Sequence, residues 1–501
     1  MRYILPSSST LVVVISACTT VYSLRAQEVF QGRQVQTAPG TEEVLGKLFS
    51  EVTVVSLDAG AIHAFVRSHP EHSAFTLDLG EGHRYGIDLH EHDLRSPDYL
   101  AQETGPMGLV TLERTPCVTY AGYLHGAAGT SVRLNIQAHR IWGHLRSKAG
   151  VVHLEPLQNI IPDAPQEVHV LYQGKDIIAE SPGECGATAE PQGPDPLKGG
   201  VAGQVKMTGD DCRKLDIATE SDWEFYSGGE TFADIQGNLN LVEDIYYSYF
   251  NTAFKIRYQH QWTTSADPYS NNNSGCSDPG ELQEFEAHWR NNFAHIRRDI
   301  SVLYTEKDYA GSTVGCANVS TFGNGITNNG TVQNSGAYSV NMWLDDVIHV
   351  QAHRTQLIAH EMGHNFGATH DDSNCGFFES GNIMCSGGLW VNLDFLPQAV
   401  AQIEADMNHT TGNAEHDGRR AMRERHAPAN ALGSFEMSVP SSFGGNVLIM
   451  DGPCAFSNTT AGQFTFPATE TVKLLPGFST AAQTGQSVLM FASSTCQLFN
   501  P

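Results

Sequence analysis

The sequence predicts an α/β (α+β) protein in which a central domain, residues 205–413, lies between two β-rich regions. Three observations predict this fold class. Residues 27–200 alternate short apolar and polar runs separated by glycine, which is typical of strands. Residues 205–413 alternate such runs with longer stretches of helical periodicity. Residues 435–501 return to short β runs with Gly, Ser and Thr turns.

Composition limits the classes of protein to which the chain can belong. Its 501 residues suffice for roughly two to four domains. The 55 acidic and 29 basic residues give a formal net charge of -26, which argues against nucleic acid or an anionic membrane as the main partner. No apolar run beyond the N-terminus is long enough to cross a membrane. The ten cysteines indicate a few disulfides formed in an oxidising compartment.

Residues 1–26 predict a secretory signal peptide. An apolar run at residues 11–15 is followed by small and polar residues that lead to Ala26. The Ile-Ser-Ala-Cys sequence that ends at Cys18 also resembles the lipobox of bacterial lipoproteins. Cleavage after Ala26 would release the protein to the outside, whereas lipidation of Cys18 would anchor it at a bacterial cell surface. We favour release, because an acylated Cys18 would leave the apolar residues 21–24 unexplained.

The central domain has patterns for both strands and helices. Apolar residues at helical spacing, such as Leu239, Val242 and Ile245, predict a long helix early in the domain. Shorter β runs separate the helical stretches. We expect strands at residues 212–219, 255–262 and 300–304, and helices at residues 233–254, 281–298, 354–366 and 397–408.

One histidine-rich stretch carries most of the chemistry. On a helix, residues four apart lie one above the other, so His360 and His364 present two imidazoles to one point while Glu361 lies beside them. Gly367 can end the helix in the left-handed conformation, and the chain can then bring in His370 as a third zinc ligand. The fourth position stays open for a water whose pKa the metal lowers, and Glu361 is placed to take its proton.

A lone His-Glu-x-x-His sequence can also occur by chance on an amphipathic helix. Such a histidine is more often exposed or satisfied in the core than a ligand. The third histidine and the Asn-Ile-Met-Cys sequence that ends at Cys385 favour a metal site, because a methionine turn follows the ligands in the longer pattern. Met384 would then form an apolar floor beneath the metal.

This pattern resembles the metzincin zinc proteases. Asp371, directly after the third histidine, resembles their adamalysin (reprolysin, ADAM-like) branch, and Met384 is followed by Cys385 and Ser386 where the astacin and serralysin branches have Met-x-Tyr. The resemblance implies a catalytic domain with a mixed twisted sheet and an active-site helix, which hydrolyses peptide bonds with one zinc ion. The sequence leaves a structural Ca²⁺ ion open.

The same resemblance implies where a substrate would bind. Residues 315–322 look like the antiparallel edge strand of the family, to which an extended peptide can add itself as one more strand. The wall of the side-chain pocket beside the zinc would be residues 386–390. Small residues there indicate an open pocket.

The cysteines of the central domain predict one local disulfide. Cys375 and Cys385 bracket the segment between the third histidine and the methionine turn, so we expect a bridge that clamps this loop. Two of Cys212, Cys276 and Cys316 could also pair, in any of three ways.

The N-terminal region resembles the propeptide domain of reprolysin-type proteases. The resemblance lies in residues 117–126, 141–145 and 154–157. Family members tend to carry a second cysteine before Trp142, which this chain lacks, so we expect Cys117 to be unpaired.

Cys185 resembles the cysteine switch of that family. It lies in a Gly-Glu-Cys-Gly-Ala sequence just before a Pro/Gly stretch. In the family, a propeptide thiolate fills the open zinc position and excludes water. The alternative is a disulfide, for example with Cys117. We favour the switch, because Cys185 lies next to a cleavable linker.

The C-terminal part divides into a linker and a small domain. Residues 414–434 are polar and rich in Arg, His and Ala, which predicts a linker. Residues 435–501 predict a small β-sandwich or β-solenoid module with a candidate disulfide between Cys454 and Cys496. Its Leu-x-Pro-Gly-Phe sequence resembles short C-terminal modules of secreted Bacteroidetes proteins, which would imply a bacterial enzyme.

Together these patterns predict a secreted zinc-dependent endopeptidase made as a zymogen. We expect protein or peptide substrates, no nucleic acid partner, membrane attachment only if Cys18 is lipidated, and a monomer. Two alternatives stay open: a protease-like fold used as a binding or adhesion module, and a zinc amidase acting on cell-wall peptides. Glu361 argues against the first, because a module that has lost catalysis need not keep it.

Overall fold

The fold is seen in a computed structural model of the chain. The structure describes residues 28–80, 82–178, 183–187, 213–270, 280–296, 298–307, 309, 313–319, 336–343, 350–372, 375, 382–386 and 393–407, and the backbone of residues 463–468 and 487–492. The predicted signal peptide, the predicted linker, Cys212, Cys276 and the candidate disulfide between Cys454 and Cys496 lie outside the described residues.

The N-terminal region, residues 28–187, is rich in strands, with two α-helices in its described part. Asp58 caps the second helix by accepting a hydrogen bond from the Ala61 backbone N–H at 2.8 Å. The elements are β1 (Glu28–Gln31), β2 (Arg33–Gln34), α1 (Pro39–Leu48), β3 (Thr53–Ser56), α2 (Ala59–Ser68), β4 (Ser73–Asp78), β5 (Arg84–Glu91), β6 (Arg95–Gly105), β7 (Gly108–Leu112), β8 (Thr119–Leu124), β9 (Ser131–Ile136), β10 (Ile141–Ser147), β11 (Gly150–Pro156), β12 (Val168–Gln173) and β13 (Glu184–Cys185).

Most of these strands form one sheet of their own. Its order is β1-β4-β5-β8-β9-β10-β11-β12-β3-β2, with β1 and β4 parallel and the other neighbours antiparallel. The apolar side chains Ile62 and Val66 of helix α2 share one buried core with Val132 and Leu134 of this sheet. Burial of such side chains stabilises the region by about 1.5–3 kcal/mol for each.

The central region contains strands that alternate with helices, as the sequence predicts. Its described elements are β14 (Arg213–Ser221), α3 (Trp223–Gly228), α4 (Phe232–Phe250), β15 (Thr252–Trp262), α5 (Glu281–Asn292), β16 (Ile300–Thr305), β17 (Thr313–Ala317), β18 (Tyr338–Met342), α6 (Gln351–Asn365) and α7 (Pro397–Met407). In the C-terminal region, β19 (Gln463–Ala468) and β20 (Ser487–Ala492) pair in parallel.

Two helices end earlier than the sequence predicts. Helix α4 ends at Phe250 because Asn251 adopts a left-handed conformation with φ 49°, and β15 begins directly after it. Helix α5 ends at Asn292. Beyond it Arg298 is buried, and its guanidinium donates hydrogen bonds to Ser301 and, at 2.8 Å, to the Tyr338 hydroxyl. The predicted helix end at residue 298 is therefore wrong.

The central sheet is mixed and includes strands from both regions. Its order is β13-β17-β18-β16-β14-β15-β6-β7, in which β17 is antiparallel to β18, and β14 is parallel to β15 and β16. Strand β6 is parallel to β15, and β13 is parallel to β17. The sequence analysis did not predict that residues 95–112 leave the N-terminal sheet and extend the central one.

Helices cover both faces of the central sheet. Side chains of α4, α6 and α7 share one core with Ile217 and Val302 of the sheet. Helix α5 contributes Phe285 and Trp289 to a second core with Val340. None of the helices that the structure describes is both long enough and apolar enough to span a membrane.

Candidate metal centre

Helix α6 is fixed to the core and to the sheet at several points. Ile358, Met362 and Phe366 are buried in the core beneath the central sheet. The Ala359 carbonyl accepts a hydrogen bond of 3.0 Å from the Tyr246 hydroxyl of α4. At the end of the helix, the Asn365 amide donates to the carbonyls of Asn318 and Tyr338. The helix is thus held in place beside the edge strand β17.

The three histidines of the motif meet at one point. The Nε2 atom of His364 lies 3.0 Å from that of His360 and 3.0 Å from that of His370. The Cys185 sulfur lies 3.4 Å from the same His364 atom, and the four ligand atoms all lie within 4.8 Å of one another. The structure therefore brings together the four side chains that the sequence analysis proposed as metal ligands.

The backbone sets the orientation of two of the imidazoles. His360 Nδ1 lies 2.5 Å from the Ile383 carbonyl oxygen, and His364 Nδ1 lies 2.7 Å from that of Ala368. A carbonyl oxygen only accepts, so each Nδ1 carries the proton and each Nε2 presents a lone pair to the centre. Burial and the neighbouring His370 lower the pKa of His360 to about 3, which keeps it neutral.

The donor set fits a zinc ion. Lone pairs 3.0 Å apart repel one another unless a cation lies between them. In a tetrahedral site with Zn–N distances of about 2.0–2.1 Å, the nitrogens lie about 3.3 Å apart. Imidazole and thiolate are the ligands that zinc prefers. Among the described residues this is the one group of His, Cys, Asp or Glu side chains that converges closely enough for a metal, so a calcium ion finds no support there.

Glu361 lies beside this centre with its carboxylate buried. Neither oxygen accepts a hydrogen bond of ordinary geometry from the described residues, although the Cys185 thiol is near. Burial raises the pKa of Glu361 to about 8. An unpaired buried carboxylate is costly, which makes Glu361 a candidate functional group.

Gly315 of β17 makes room for that carboxylate, and the sequence analysis missed it. A Cβ atom at this position would overlap Glu361 Oε1 and lie 2.7 Å from Leu357 Cδ1. No sequence pattern marks this glycine, because its neighbour is 46 residues away along the chain.

The methionine turn supports the helix from below. Met384 is fully buried, and a Cβ atom at Gly363 would lie 2.7 Å from its sulfur, so the turn approaches the helix where no side chain intervenes. Gly367 has φ 83°, a left-handed conformation that favours glycine. The chain reverses there and leads to His370.

Asp371 ties the turn to the third histidine. Its backbone N–H donates to the Met384 carbonyl at 2.9 Å. Its carboxylate is buried and has no hydrogen-bond partner among the described residues. Burial, with a contribution from Asp372, raises its pKa to about 6.

The segment around Cys185 crosses the site between the edge strand and the methionine turn. The Cys185 backbone N–H donates to the Ser386 carbonyl at 3.2 Å, and the Gly186 N–H donates to the Gly315 carbonyl at 3.0 Å. The Ala187 N–H donates to the Cys185 sulfur at 3.3 Å. The edge that the sequence analysis expected to be exposed is thus paired with residues of the same chain.

The described cysteines agree with most of the expected pairing. Cys375 and Cys385 form the expected disulfide. Cys117 and Cys185 are both free, so Cys117 is unpaired as expected and the alternative disulfide between them is wrong. Cys316 is also disulfide-bonded. Of the expected pocket wall at residues 386–390, only Ser386 is described.

Comparisons with known proteins agree with this site. Residues 211–390 match the family model Reprolysin_5, described as metallo-peptidase family M12. The chain is 25% identical over 302 residues to the zinc metalloproteinase-disintegrin-like atrase-A of Naja atra, in an alignment that covers 58% of this chain and 46% of that protein. The chain therefore spans about half the length of this curated relative.

The comparison with one solved structure does not establish the fold. Metalloproteinase-II from Bacteroides fragilis is 13% identical, with a TM-score of 0.41 over 68% of this chain and 93% of that one, a score too low to establish a shared fold. The sequence match to the family model includes the three histidines, Glu361 and Met384. Residues 211–390 of this chain are therefore similar to a reprolysin-type domain of metallopeptidase family M12.

Proposed function

We propose that this chain is a secreted, zinc-dependent metalloendopeptidase made as a zymogen. Residues 27–200 would be the propeptide, and the central region would hydrolyse peptide bonds of extracellular proteins. The observation that carries the proposal is the convergence of three imidazole Nε2 atoms beside the buried carboxylate of Glu361.

Each residue of the site has a definite task in this reaction. His360, His364 and His370 hold the metal through Nε2. Bound zinc supplies a Lewis acid that polarises the carbonyl of the peptide bond and lowers the pKa of water. Glu361 accepts the proton of the attacking water and delivers it to the nitrogen of the leaving amine. Met384 and Gly363 keep the floor of the site apolar and closely packed.

Substrate would bind along β17. This strand is the outermost strand that the central region itself provides on that side, and its partner β13 belongs to the N-terminal region. A peptide that replaces β13 would be held by main-chain hydrogen bonds, which do not depend on side-chain identity. Broad tolerance of substrate sequence is therefore expected.

Cys185 would keep the zymogen inactive. Its sulfur lies 3.4 Å from His364 Nε2 and within 4.8 Å of the other two imidazole ligand atoms, so it would be the fourth ligand of a metal held by the three histidines. A thiolate bound there leaves no place for the attacking water. The residues on either side hold it through the hydrogen bonds to Gly315 and Ser386.

The test compares the chain before and after its N-terminal region has been removed. The processed protein should contain about one zinc ion per chain and cleave casein or gelatin, and a chelator should abolish cleavage. Glu361→Gln should keep the zinc but lose about 10²–10⁴-fold in kcat. A zinc-loaded protein that cleaves neither protein would indicate a binding module. Cleavage of peptidoglycan peptides in place of casein would indicate an amidase.

Export is proposed from the sequence of residues 1–26 alone. Mass spectrometry of the exported protein distinguishes a new N-terminus after Ala26 from a lipidated Cys18. A bacterial source and a monomeric state stay predictions of the same kind, and size-exclusion chromatography with light scattering tests the second.

A further inference from the structure

We propose that residues 28–187 are a separable inhibitor, which stays bound to the central region and keeps the metal centre covered after the segment between residues 187 and 213 has been cut. This inference rests on the proposed function, because covering the metal centre inhibits the protein only if that centre is catalytic. The inference adds that cutting the connection is not sufficient for activity. Four sets of contacts, made by residues other than the metal ligands, support it.

The first set is the shared sheet. Strand β6 pairs with β15 at six register positions, from Ile256 opposite Arg95 to Trp262 opposite Thr104. Across this pairing, the Tyr99 hydroxyl donates to Gln259 at 2.8 Å and the Tyr258 hydroxyl donates to Gln102 at 2.7 Å. Departure of β6 would expose unpaired backbone groups of β15 between Ile256 and Trp262.

The second set is a group of buried charges on α4. Glu243 binds His92 at 2.5 Å and Arg133 at 3.0 Å, both from the N-terminal region. Burial alone would raise the pKa of Glu243, but these two partners outweigh it and hold the pKa at about 2. Asp244, next along the helix, binds His144 at 2.9 Å and Arg146 at 3.0 Å.

Buried pairs of this kind slow dissociation. Their formation costs desolvation, so they add little net affinity, but separation requires the carboxylates to lose their partners before water reaches them. The charges also make the fit specific, because acidic residues on α4 face basic residues on the N-terminal sheet.

The third set is a close steric fit. Trp142 of β10 is buried against Gly237 of α4, where a Cβ atom would overlap the indole ring and lie 2.8 Å from Asn135 Cγ. The Asn135 amide donates to the Gly237 carbonyl at 3.1 Å. In the other direction, the Asn240 amide of α4 donates to the Leu134 carbonyl at 3.4 Å.

The fourth set lies at the start of the active-site helix. Both oxygens of Glu155, from β11, accept the Gln351 backbone N–H, at 3.1 and 3.2 Å. The N-cap residue Val350 has no side chain that could do this. The N-terminal region therefore provides the cap of the helix that carries His360 and His364.

Cutting the chain between residues 187 and 213 breaks none of these contacts. Before the cut, the connection only raises the effective concentration of one region at the other. After the cut, the same pairing, charges and packing remain, and Cys185 is still held between Gly315 and Ser386. Release must then require the N-terminal region itself to unfold or to be degraded.

The experiment uses the full chain with a recognition sequence for a site-specific protease placed between residues 190 and 205. After complete cutting and dilution to about 10 nM, where a Kd of about 1 μM would leave about 99% of the complex dissociated, the two fragments should elute together. Cys185 should resist iodoacetamide as in the uncut chain, and casein cleavage should not rise. Two separate peaks, or a Cys185 that reacts as in unfolded protein, would overturn the proposal.

These readouts separate the failure of this inference from failure of the proposed function. Elution and Cys185 alkylation need no substrate, so they decide the attachment even if casein is never cleaved. If casein is cleaved only after the N-terminal fragment has been digested away, both proposals stand. If cutting alone gives full cleavage, the inference fails and the proposed function stands.

A pair of arginine variants tests which contacts hold the fragments together. Arg133→Gln removes one of the two partners that the N-terminal region gives to Glu243 and should speed dissociation of the cut complex at least about tenfold. Arg84→Gln removes an exposed pair with Asp78 inside the N-terminal region and should leave the rate unchanged. Equal rates for both variants would overturn the role of the buried charges. If Arg133→Gln does not fold, the cut wild-type complex still decides the proposal.

Discussion

The N-terminal region adds strands to both edges of the central sheet, but to very different extents. At β17, beside the metal centre, it contributes two residues of β13. At β15, on the other side, it contributes β6 over six register positions and then β7 beyond it. The difference teaches that inhibition and attachment are separate tasks. On the proposed function, one sulfur atom would suffice for inhibition, whereas attachment would use a hairpin and a helix face.

The largest expected effect lies on the β17 side. Gly315→Ala should lower kcat of the processed enzyme about 100-fold, because the new methyl group displaces the Glu361 carboxylate and a shift of about 1 Å can cost that much. Zinc content should not change. Gly46→Ala, in α1 with no atom near the new methyl group, is the control and should have no effect. Normal activity of Gly315→Ala would show that the Glu361 carboxylate can accommodate a methyl group at position 315 without loss of function.

Removal of the sulfur tests the separation of the two tasks directly. Cys185→Ala in the uncut chain should raise casein cleavage at least about tenfold, because water can then occupy the fourth ligand position. The N-terminal region should stay bound. Cys117→Ala removes the other thiol that is free among the described cysteines, which is buried elsewhere, and should leave the chain inactive. If the N-terminal region dissociates from the Cys185→Ala variant, the contact of β13 at the metal centre would also be what holds the two regions together.

An acid titration tests the buried environment of His153, a residue of β11 in the N-terminal region. His153 is buried beside Tyr172, and neither ring nitrogen has a hydrogen-bond partner among the described residues. Burial, His144, Arg146 and His353 all lower its pKa well below 6.5. Below pH 6.5 the imidazole of His153 takes up a proton in the unfolded chain but not in the folded chain. The free energy of unfolding should therefore decrease as the pH is lowered, by up to about 1.4 kcal/mol per pH unit.

Two variants isolate this contribution. His153→Phe keeps the ring stacked on Tyr172 and should flatten the fall in unfolding free energy below pH 6.5, as followed by denaturant titration. His139→Phe, at an exposed site, should leave the slope as in the wild type. Identical slopes for all three proteins would contradict a neutral buried His153.

The smallest effect concerns one hydrogen bond of the β6 pairing. Tyr99→Phe should reduce the unfolding free energy of the full chain by about 1 kcal/mol, because Gln259 loses one donor and keeps a second, from Gln236 at 2.7 Å. Tyr123→Phe, at a half-exposed side chain, should cost less. A loss well above that of a single hydrogen bond would show that the two strands separate cooperatively.

The meeting of the three histidines could be predicted because it depends on local geometry. Helical spacing fixes His360 and His364, and a glycine that permits reversal lies between them and His370. The disulfide between Cys375 and Cys385 is equally local. Roles for these residues in catalysis stay predictions until the variants are measured.

Contacts between distant segments could not be predicted. The period-two pattern of residues 95–112 predicts a strand but does not identify its partner, so the joining of β6 to β15 is seen only in the structure. Glu155 has no sequence feature that links it to Gln351, 196 residues later. Gly315 is likewise explained by a neighbour that the fold, and not the sequence order, brings to it.

The bridge between Cys375 and Cys385 has a practical consequence for where this protein can be made. It joins the loop after the third histidine to the methionine turn, and the Asp371 N–H and Met384 carbonyl lie within the same clamp. In a reducing cytosol the helix would still form, but the turn beneath the ion would lose its covalent tie to that loop. Recombinant production therefore calls for an oxidising host compartment.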